Sequence, residues 1–267
     1  YGVVIGYKKN VDNYTILRFP SRCTKVTSKR DIYTSGVYDY TEDDAKTIRS
    51  YTKNILKVEL PDTVKELGEE AFSGDCEYGS FNFSSLERIE LSKNISKIED
   101  STFKLCNNLK YVKMPDNITE IGREAFSGCG ALESITIPEG VKKIGNACFE
   151  NCTNLQQINL PEGLETIDSW AFFGCKNLQK INLPEGLKKI GGSCFEYCTN
   201  LQQINLPEGL ESIGGSAFES TNNLSEIIIP ESVKTIGEYA FDDWTEKQTI
   251  KCKATKAGDN WDKYWNY

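Results

Sequence analysis

The sequence predicts a curved solenoid of stacked 23-residue coils, an α/β repeat with a parallel strand ladder. Prolines at 115, 138, 161, 184, 207 and 230 are each 23 residues apart, and apolar residues recur at fixed positions between them. One such coil buries six or seven apolar side chains, at roughly 1.5 to 3 kcal/mol each. Ordering the coil costs roughly 35 kcal/mol, so it cannot fold alone. Coils must therefore stack, and each end of the stack needs a cap.

The spacing of apolar residues predicts the elements of each coil. With the proline as position 1, the apolar positions are 4, 7, 11, 12, 15, 18, 21 and 23. Steps of three and four between positions 7 and 18 indicate a short helix or 3₁₀ turn, and the step of two from 21 to 23 indicates a strand. Each coil is therefore predicted as a short strand, a tight turn and a short helical segment. In the central unit the apolar positions are Leu164, Ile167, Ala171, Phe172, Cys175, Leu178, Ile181 and Leu183.

Residues 1–60 are predicted to form an N-terminal cap. Two apolar strands, Val3 to Tyr7 and Tyr14 to Phe19, form a hairpin around the polar connection Lys8 to Asn13. A degenerate first coil begins at Pro20, and a capped helix begins at Thr41. The hairpin is expected to cover the open edge of the first coil.

The solenoid is predicted over residues 61–252, and a C-terminal cap over residues 253–267 completes one continuous domain. Thr249 to Cys252 is expected to be the last edge strand. Trp261 and Trp265 are four residues apart, a spacing that places both rings on one helical face, where they would cover the last coil.

The charge pattern argues against two classes of partner. The formal net charge is −8 and the pI is about 4.9, with basic residues interspersed among acids. Nucleic acids and anionic membranes attract concentrated basic charge, so neither is an expected partner. No run of about 18 apolar residues is present, so no direct membrane insertion is expected. Because the chain starts at Tyr1 without an initiator methionine, we expect a mature or trimmed segment, which would conceal any signal peptide or anchor.

Cysteines recur at two positions, but their spacing does not favour a metal site. Parallel stacked thiols point the same way, and zinc sites need four converging ligands, often with histidine, which this chain lacks. The pattern favours buried free thiols and no cofactor. Carboxylates at position 2 favour a solvated edge over a calcium site. Without histidine the usual triads are excluded, so no enzyme is predicted. The position 15 cysteines are Cys106, Cys129, Cys152, Cys175 and Cys198, and Cys148 and Cys194 hold position 11.

The candidate binding residues lie at positions 20 and 22, which alternation directs outward if positions 21 and 23 point inward. They form a broad, polar surface that suits an extended protein or glycan partner. An insertion at residues 74–83 adds aromatic residues that either cover neighbouring coils or form a contact loop. The candidates are Tyr111, Lys113, Ser134, Thr136, Gln157, Asn159, Lys180, Asn182, Gln203 and Asn205 on the strands, and Tyr78, Phe81 and Phe83 in the insertion.

The unit pattern LPxxLxxIGxxAFxxCxxLxxIx, found six times in succession, resembles the BspA-like leucine-rich repeat family over about residues 55 to 252. The resemblance implies a leucine-rich solenoid, usually displayed on bacterial or parasite surfaces and used for adhesion or host contact rather than catalysis. It therefore leads us to expect an extracellular or cell-surface location.

Three functional hypotheses follow. The first is a non-enzymatic, monomeric interaction or adhesion module that binds a host matrix or surface protein. The second is a passive spacer that displays another domain. The third is a glycan-binding module that uses its Trp or Tyr side chains.

Overall fold

The computed structural model describes residues 7–11, 14–19, 21, 23–26, 52–74, 82–253 and 260–265. Its strands are short, and most recur once per coil in each of two series. They are β1 (Tyr7–Val11), β2 (Tyr14–Arg18), β3 (Lys25–Val26), β4 (Lys57–Glu59), β5 (Glu66–Leu67), β6 (Arg88–Glu90), β7 (Lys97–Ile98), β8 (Tyr111–Lys113), β9 (Glu120–Ile121), β10 (Ser134–Thr136), β11 (Lys143–Ile144), β12 (Gln157–Asn159), β13 (Thr166–Ile167), β14 (Lys180–Asn182), β15 (Lys189–Ile190), β16 (Gln203–Asn205), β17 (Ser212–Ile213), β18 (Glu226–Ile229), β19 (Thr235–Ile236), β20 (Thr249–Cys252) and β21 (Asn260–Trp261).

The first series lies at positions 20 to 22, as the sequence predicts. Strands β10 and β12 pair in parallel with Ile135 beside Ile158, one full repeat apart. Strands β14 and β16 pair in the same way, with Ile181 beside Ile204. The central isoleucine is buried in each of these strands and the residues on both sides are exposed. This alternation of buried and exposed residues directs positions 20 and 22 to solvent.

A second series of two-residue strands, which the sequence analysis did not predict, lies at positions 6 and 7. Strands β7, β9, β11, β13, β15, β17, β19 and β21 form one eight-stranded sheet in chain order. Within it, Ile167 pairs with Ile190 and Ile190 with Ile213, and all three are buried. Among the described residues the second series joins consecutive coils from β7 to β21, whereas the first series pairs in four separate sheets, β1-β2-β4-β6-β8, β10-β12, β14-β16 and β18-β20.

The helical segment predicted for each coil is not confirmed among the described residues, where consecutive tight turns take its place. Positions 10 and 14 have left-handed backbone conformations, at Trp170 (φ 57°) and Gly174 (φ 67°) in the central coil. Two left-handed residues four apart interrupt any right-handed helix. Single turn bonds instead reproduce the three-residue spacing, since Phe173 N donates to Trp170 O (3.1 Å) and Leu178 N donates to Cys175 O (3.0 Å). Among the described residues the solenoid is thus built from strands and turns.

The turns also bind to the turns of the next coil. In the central coil the amides of Trp170, Phe172 and Gly174 each donate to a carbonyl of the following coil, at 2.9 Å in all three bonds. The acceptors are the carbonyls of Gly192, Cys194 and Glu196. Backbone groups that would otherwise be buried without partners are satisfied in this way.

Two ladders of identical side chains fill the core. Eight buried phenylalanine rings at position 12 stack with centroid distances of 5.2 to 5.8 Å and interplanar angles of 2 to 14°. The cysteines at position 15 form the second ladder, beside the stacked rings. Cys175 Sγ, for example, donates to the carbonyl of Phe149 in the preceding coil (3.1 Å). In the last coil Trp244 holds this position, and its Nε1 donates to Phe218 O (3.0 Å). The stacked rings are Phe72, Phe103, Phe126, Phe149, Phe172, Phe195, Phe218 and Phe241.

At the N-terminal end, β1 and β2 form the predicted antiparallel hairpin, with Tyr7 opposite Arg18 and Val11 opposite Tyr14. The predicted bounds of its first strand are wrong, because Lys8 to Val11 belong to the strand and not to the connection. Strand β1 is the outermost strand of its sheet, a location where a polar sequence such as Lys8 to Asn10 is common. Strand β2 then pairs in parallel with β4. Residues 3 to 6 and the helix predicted from Thr41 lie outside the described residues.

At the C-terminal end, β20 pairs with β18, which confirms the predicted last strand of the first series. The predicted helical face of Trp261 and Trp265 is wrong, because Trp261 lies in β21 and pairs with Ile236. A turn after this strand, with Trp265 N donating to Asp262 O (3.1 Å), brings the two rings to 5.1 Å. Trp265 also lies 6.0 Å from the last stacked ring, Phe241. The capping roles of both ends stay predictions.

Candidate functional site

The outward side chains of positions 20 and 22 form a continuous surface, here called the strand face. All are exposed except Glu90, which is half-buried. The predicted alternation is present in every one of these strands, whereas a binding role for the residues stays a prediction. The strand face consists of Arg88, Glu90, Tyr111, Lys113, Ser134, Thr136, Gln157, Asn159, Lys180, Asn182, Gln203, Asn205, Glu226 and Ile228.

The N-terminal part of the strand face pairs its charges internally. Arg88 Nη2 lies 3.0 Å from Glu90 Oε1, and Lys113 Nζ lies 3.9 Å from Glu90 Oε2. The hydrogen bond from Arg88 and the charge of Lys113 lower the pKa of Glu90 despite its partial burial. The Arg88 guanidinium also lies over the Tyr111 ring, 3.9 Å from its centroid. A partner binding here has to compete with these existing contacts.

The central part of the strand face is rich in amides, and Lys180 is its charged side chain. Asn159 Nδ2 donates to Thr136 Oγ1 (3.2 Å), within the face itself. The side chains of Gln157, Asn182, Gln203 and Asn205 make no hydrogen bond with any other described residue. Each side-chain amide offers two donor hydrogens and an acceptor oxygen. The surface therefore presents hydrogen-bonding capacity that the described part of the protein leaves free for a partner.

A groove lies at the C-terminal end of the strand face, with a volume of about 370 Å³. Gln203, Asn205 and Ile228 line it together with Lys253, whose ammonium pairs with the Glu208 carboxylate. Ile228 is 42% exposed and supplies an apolar wall among polar groups. Such a mixed lining can hold an extended chain by hydrogen bonds and one apolar contact.

The insertion contributes differently from the strands. The Phe83 ring is only 2% exposed and packs edge-on against Phe72, at a centroid distance of 5.4 Å. Phe83 therefore covers the core, in agreement with the interpretation that the insertion covers neighbouring coils. A buried ring does not present a contact surface. Tyr78 and Phe81 lie outside the described residues, so their contact role stays a prediction.

Sequence reasoning missed a group of aromatic residues on the turn side of the coils. Trp170 is 48% exposed and Tyr197 is 41% exposed, while Phe173 between them is half-buried. The Phe173 and Tyr197 rings meet edge-on, with centroids 5.5 Å apart. The signal available in the sequence was a departure from the repeat, because positions 10 and 13 are aromatic together in this coil alone among the regular units.

The cysteines do not form a metal site or a disulfide among the described residues. All nine described cysteines are free, and only Cys252 is exposed. Burial raises the pKa of the Cys152 thiol to about 12, so it stays protonated and unreactive at neutral pH. No group of three or more His, Cys, Asp or Glu side chains in the described ranges is placed to hold a metal ion. Cys76 lies outside the described residues.

Within the described ranges, no helix combines the length and the apolar composition that a bilayer crossing requires. This agrees with the sequence, which lacks a long apolar run.

Known structures share this architecture. A leucine-rich repeat protein from Bacteroides ovatus is 26% identical, with a TM-score of 0.67 over 94% of this chain and 67% of that one. A leucine rich cell surface protein from Faecalibacterium prausnitzii is 24% identical, with a TM-score of 0.57 over 91% of this chain and 73% of that one. The leucine rich repeat protein of T. pallidum is 20% identical, with a TM-score of 0.50 over 84% and 90% of the two chains. No curated protein sequence matches this chain.

The model of the BspA type leucine rich repeat region matches six copies, over residues 75–198 and 119–247. These ranges include seven of the eight stacked phenylalanines, Phe103 to Phe241, and the strands β6 to β19 described above. The chain belongs to the BspA type leucine-rich repeat family.

Proposed function

We propose that this protein is a non-enzymatic interaction module at a cell surface, and that it binds an extended protein partner through the strand face. The free amides of Gln157, Asn182, Gln203 and Asn205 support this proposal most directly. Asn182 and Asn205 lie in register on the parallel strands β14 and β16, so a partner lying across these two coils meets the same donors and acceptor twice. The similar Faecalibacterium prausnitzii protein is described as a cell surface protein, which supports the proposed location.

The strand face lacks the features of a buried catalytic site. Its polar residues are exposed and repeated, whereas catalysis usually needs one enclosed set of groups with matched pKa values. A large, polar and flat surface suits a protein interface with many hydrogen bonds and a few stronger anchors. Tyr111 and Ile228 are the exposed large side chains that fit the role of anchors, at 39% and 42% exposure.

The proposal is tested by binding of the purified protein to an array of matrix glycoproteins, plasma proteins and glycans. A face variant replaces Tyr111, Lys113, Gln157 and Asn159 with alanine. A control variant removes the same kinds of exposed side chain elsewhere, at Tyr239, Lys142, Asn107 and Asn117. Both variants are first checked for unchanged thermal unfolding.

We expect a specific protein hit that the face variant weakens at least about tenfold, since truncating a few interface anchors costs more than 1 kcal/mol each. The control variant is expected to bind as the parent does. Equal binding by the face variant would refute the choice of surface. Silence across the array would favour the spacer hypothesis, and hits confined to glycans would favour the glycan-binding hypothesis.

A further inference from the structure

The turn side of the coils has an aromatic cluster, defined here as Trp170, Phe173 and Tyr197. A backbone turn places Phe173 and Trp170 together, because Phe173 N donates to Trp170 O at 3.1 Å. Tyr197 joins them from the next coil through its edge-on ring contact with Phe173. Exposed aromatic groups of this kind are uncommon on a polar surface and are enriched in binding sites.

The cluster replaces polar or small residues that the other regular coils have at the same positions. Position 10 is otherwise Ser, Glu or Ala except at Tyr239, and position 13 is otherwise Lys, Ser, Glu or Asp. Trp170 also has a left-handed backbone (φ 57°), a conformation that costs a bulky residue free energy. Neither the core nor the backbone therefore requires an indole here. Leaving its apolar surface in contact with water is also unfavourable for the stability of the fold.

Carboxylates lie on both sides of the cluster. Asn151 N donates to Phe173 O (2.7 Å) and Gly174 N donates to Glu196 O (2.9 Å), so position 13 of the preceding coil, Glu150, and that of the following coil, Glu196, flank Phe173. Glu219 continues the row in the next coil, because Tyr197 N donates to Glu219 O (3.1 Å).

These three carboxylates have no basic partner within the described part of the chain. Glu150 accepts hydrogen bonds from Ser127 and Asn151, and Glu196 accepts one from Ser193. None of the three is in an ion pair with another described residue, in contrast to the strand-face carboxylate Glu90. Partial burial and the charge of Glu219 raise the pKa of Glu196, against the hydrogen bond from Ser193. A cation arriving at this row would relieve that repulsion.

We propose that the aromatic cluster and its flanking carboxylates form a second interaction surface, which binds an arginine-containing segment of a protein partner. A guanidinium group can stack on an exposed indole or phenol ring while it pairs with a neighbouring carboxylate in a bidentate manner. An ammonium group makes the ion pair but stacks less well, so arginine is preferred over lysine. A neutral glycan would gain from the aromatic rings but not from the row of unpaired charges.

This surface is separate from the strand face. Its residues occupy positions 10, 13 and 14, whereas the strand face occupies positions 20 and 22. The two surfaces can therefore be removed one at a time, and the failure of one assignment leaves the other standing.

The probes are capped peptides of alternating arginine and glycine, with lysine and glutamate versions of the same length. Binding to the full chain is measured by calorimetry at low ionic strength, where exposed charge attraction is least screened. We expect the arginine peptide to bind about fivefold more tightly than the lysine peptide because of stacking. The glutamate peptide is expected not to bind.

Two variants test the surface. The aromatic variant combines Trp170→Ala with Phe173→Ala and should abolish the preference for arginine over lysine. The acidic variant combines Glu150→Gln, Glu196→Gln and Glu219→Gln, and should weaken both basic peptides at least about tenfold. Its matched control removes the same charge at three exposed position 2 carboxylates, Glu139, Glu162 and Glu185, and should bind within about twofold of the parent.

Several outcomes would overturn the proposal. If the acidic variant and its control weakened the binding of the basic peptides equally, the binding would depend on net charge alone and not on this surface. Equal affinity for the arginine and lysine peptides, or no binding of either, would remove the role of the aromatic cluster. Binding of a neutral glycan that is lost on Trp170→Ala, without arginine preference, would assign the cluster to carbohydrate instead. Thermal unfolding of each variant separates these outcomes from loss of the fold.

Discussion

The interior and the exterior of the solenoid follow the repeat to different degrees. Inside, Phe172 stacks on Phe195 at 5.5 Å with an angle of 4°, as regularly as in the neighbouring coils. Outside, position 13 of consecutive coils changes from Glu150 to Phe173 to Glu196. The coil with the most unusual exterior thus has an ordinary interior. The core fixes the geometry of the array, and outward residues are free to differ from coil to coil.

This difference follows from the way the coils bind each other. Neighbouring coils contact each other through the continuous second strand series, the turn bonds and the stacked rings, and some pairs of coils also through the first series. Stability in such an array is a sum of coil and nearest-neighbour terms, so an interior change disturbs two interfaces at once. An outward side chain contributes less to these two interfaces than a core side chain does. Substitutions of one residue type on the inside and on the outside should therefore differ strongly in effect.

The largest effect is expected from Phe149→Ala. This ring is fully buried and stacks on both Phe126 and Phe172, so its removal leaves a cavity between three coils. We expect the free energy of unfolding to fall by about 3 to 5 kcal/mol. Chemical denaturation monitored by circular dichroism measures the change.

The matched control is Phe173→Ala, the same substitution one coil further along on the outside. Because Phe173 is only half-buried, we expect a loss of about 1 kcal/mol or less. Similar losses for the two variants would show that the interior and the exterior of the solenoid are not energetically distinct.

A smaller loss is expected from Gly191→Ala. A Cβ atom at this glycine would lie 2.2 Å from Ser169 N and 2.4 Å from Asp168 C, both backbone atoms of the preceding coil. Backbone that is bonded on both sides cannot move away cheaply, so the coils must separate locally. We expect a loss of about 3 kcal/mol or less in the free energy of unfolding, measured by the same denaturation.

Gly130→Ala is the control for this prediction. A Cβ atom there meets only ordinary contacts, the nearest being Thr153 Oγ1 at 3.6 Å. Alanine should then be neutral or stabilise slightly, because it restricts the unfolded chain. If Gly191→Ala were as harmless as Gly130→Ala, close coil packing would not be the reason for glycine at position 8.

The sequence predicted the first strand series and the buried ladders correctly because both depend on burial. The two-residue step from Ile181 to Leu183 indicates a strand with one face in the core. The recurrence of the apolar pattern every 23 residues indicates that the coils stack. The second series was not predicted, because a two-residue strand such as β13 has a single buried residue, Ile167. One buried residue cannot show the alternation of apolar and polar residues from which a strand is predicted.

The predicted helical segments failed for a related reason. Turn bonds from position 15 to 12 and from 18 to 15 place apolar residues three apart, the same spacing that a helical face has. The distinction lies in the left-handed residues at positions 10 and 14, which include Trp170 and Tyr197. Side chains of this kind give no propensity signal for that conformation, so sequence alone did not separate the two structures.

The sequence predicted the exposure of the strand face but not the aromatic cluster. Exposure of the strand face followed from alternation, and Gln157 and Gln203 are exposed as expected. The aromatic cluster required knowledge of which turn residues point outward, and that depends on the turn geometry. Unpaired carboxylates such as Glu196 became recognisable only once the distances to basic groups were known.

The smallest effects are expected from exterior carboxylates, and two of them should respond to pH in opposite directions. Burial raises the pKa of Glu124, but hydrogen bonds and charges from Lys104, at 2.5 Å, and Arg123, at 2.8 Å, outweigh it, and the pKa lies below the ordinary value of 4.5. The stability that Glu124 contributes is therefore present above pH 4.5 and is lost as the pH falls through its native pKa. Glu124→Gln should cost about 1 kcal/mol or less at neutral pH and little in acid.

Glu196 should show the reverse behaviour. Its native pKa is raised, so the folded protein holds the proton more tightly than the unfolded chain does, and stability from this group is lost as the pH rises from 4.5 through the native pKa. At neutral pH the ionised Glu196 opposes folding, and Glu196→Gln should raise the free energy of unfolding by less than about 1 kcal/mol. Denaturation of both variants between acid and neutral pH measures the two slopes. Slopes of the same sign would mean that Glu196 has a compensating cation after all, and the case for a basic partner at the aromatic cluster would lose its electrostatic basis.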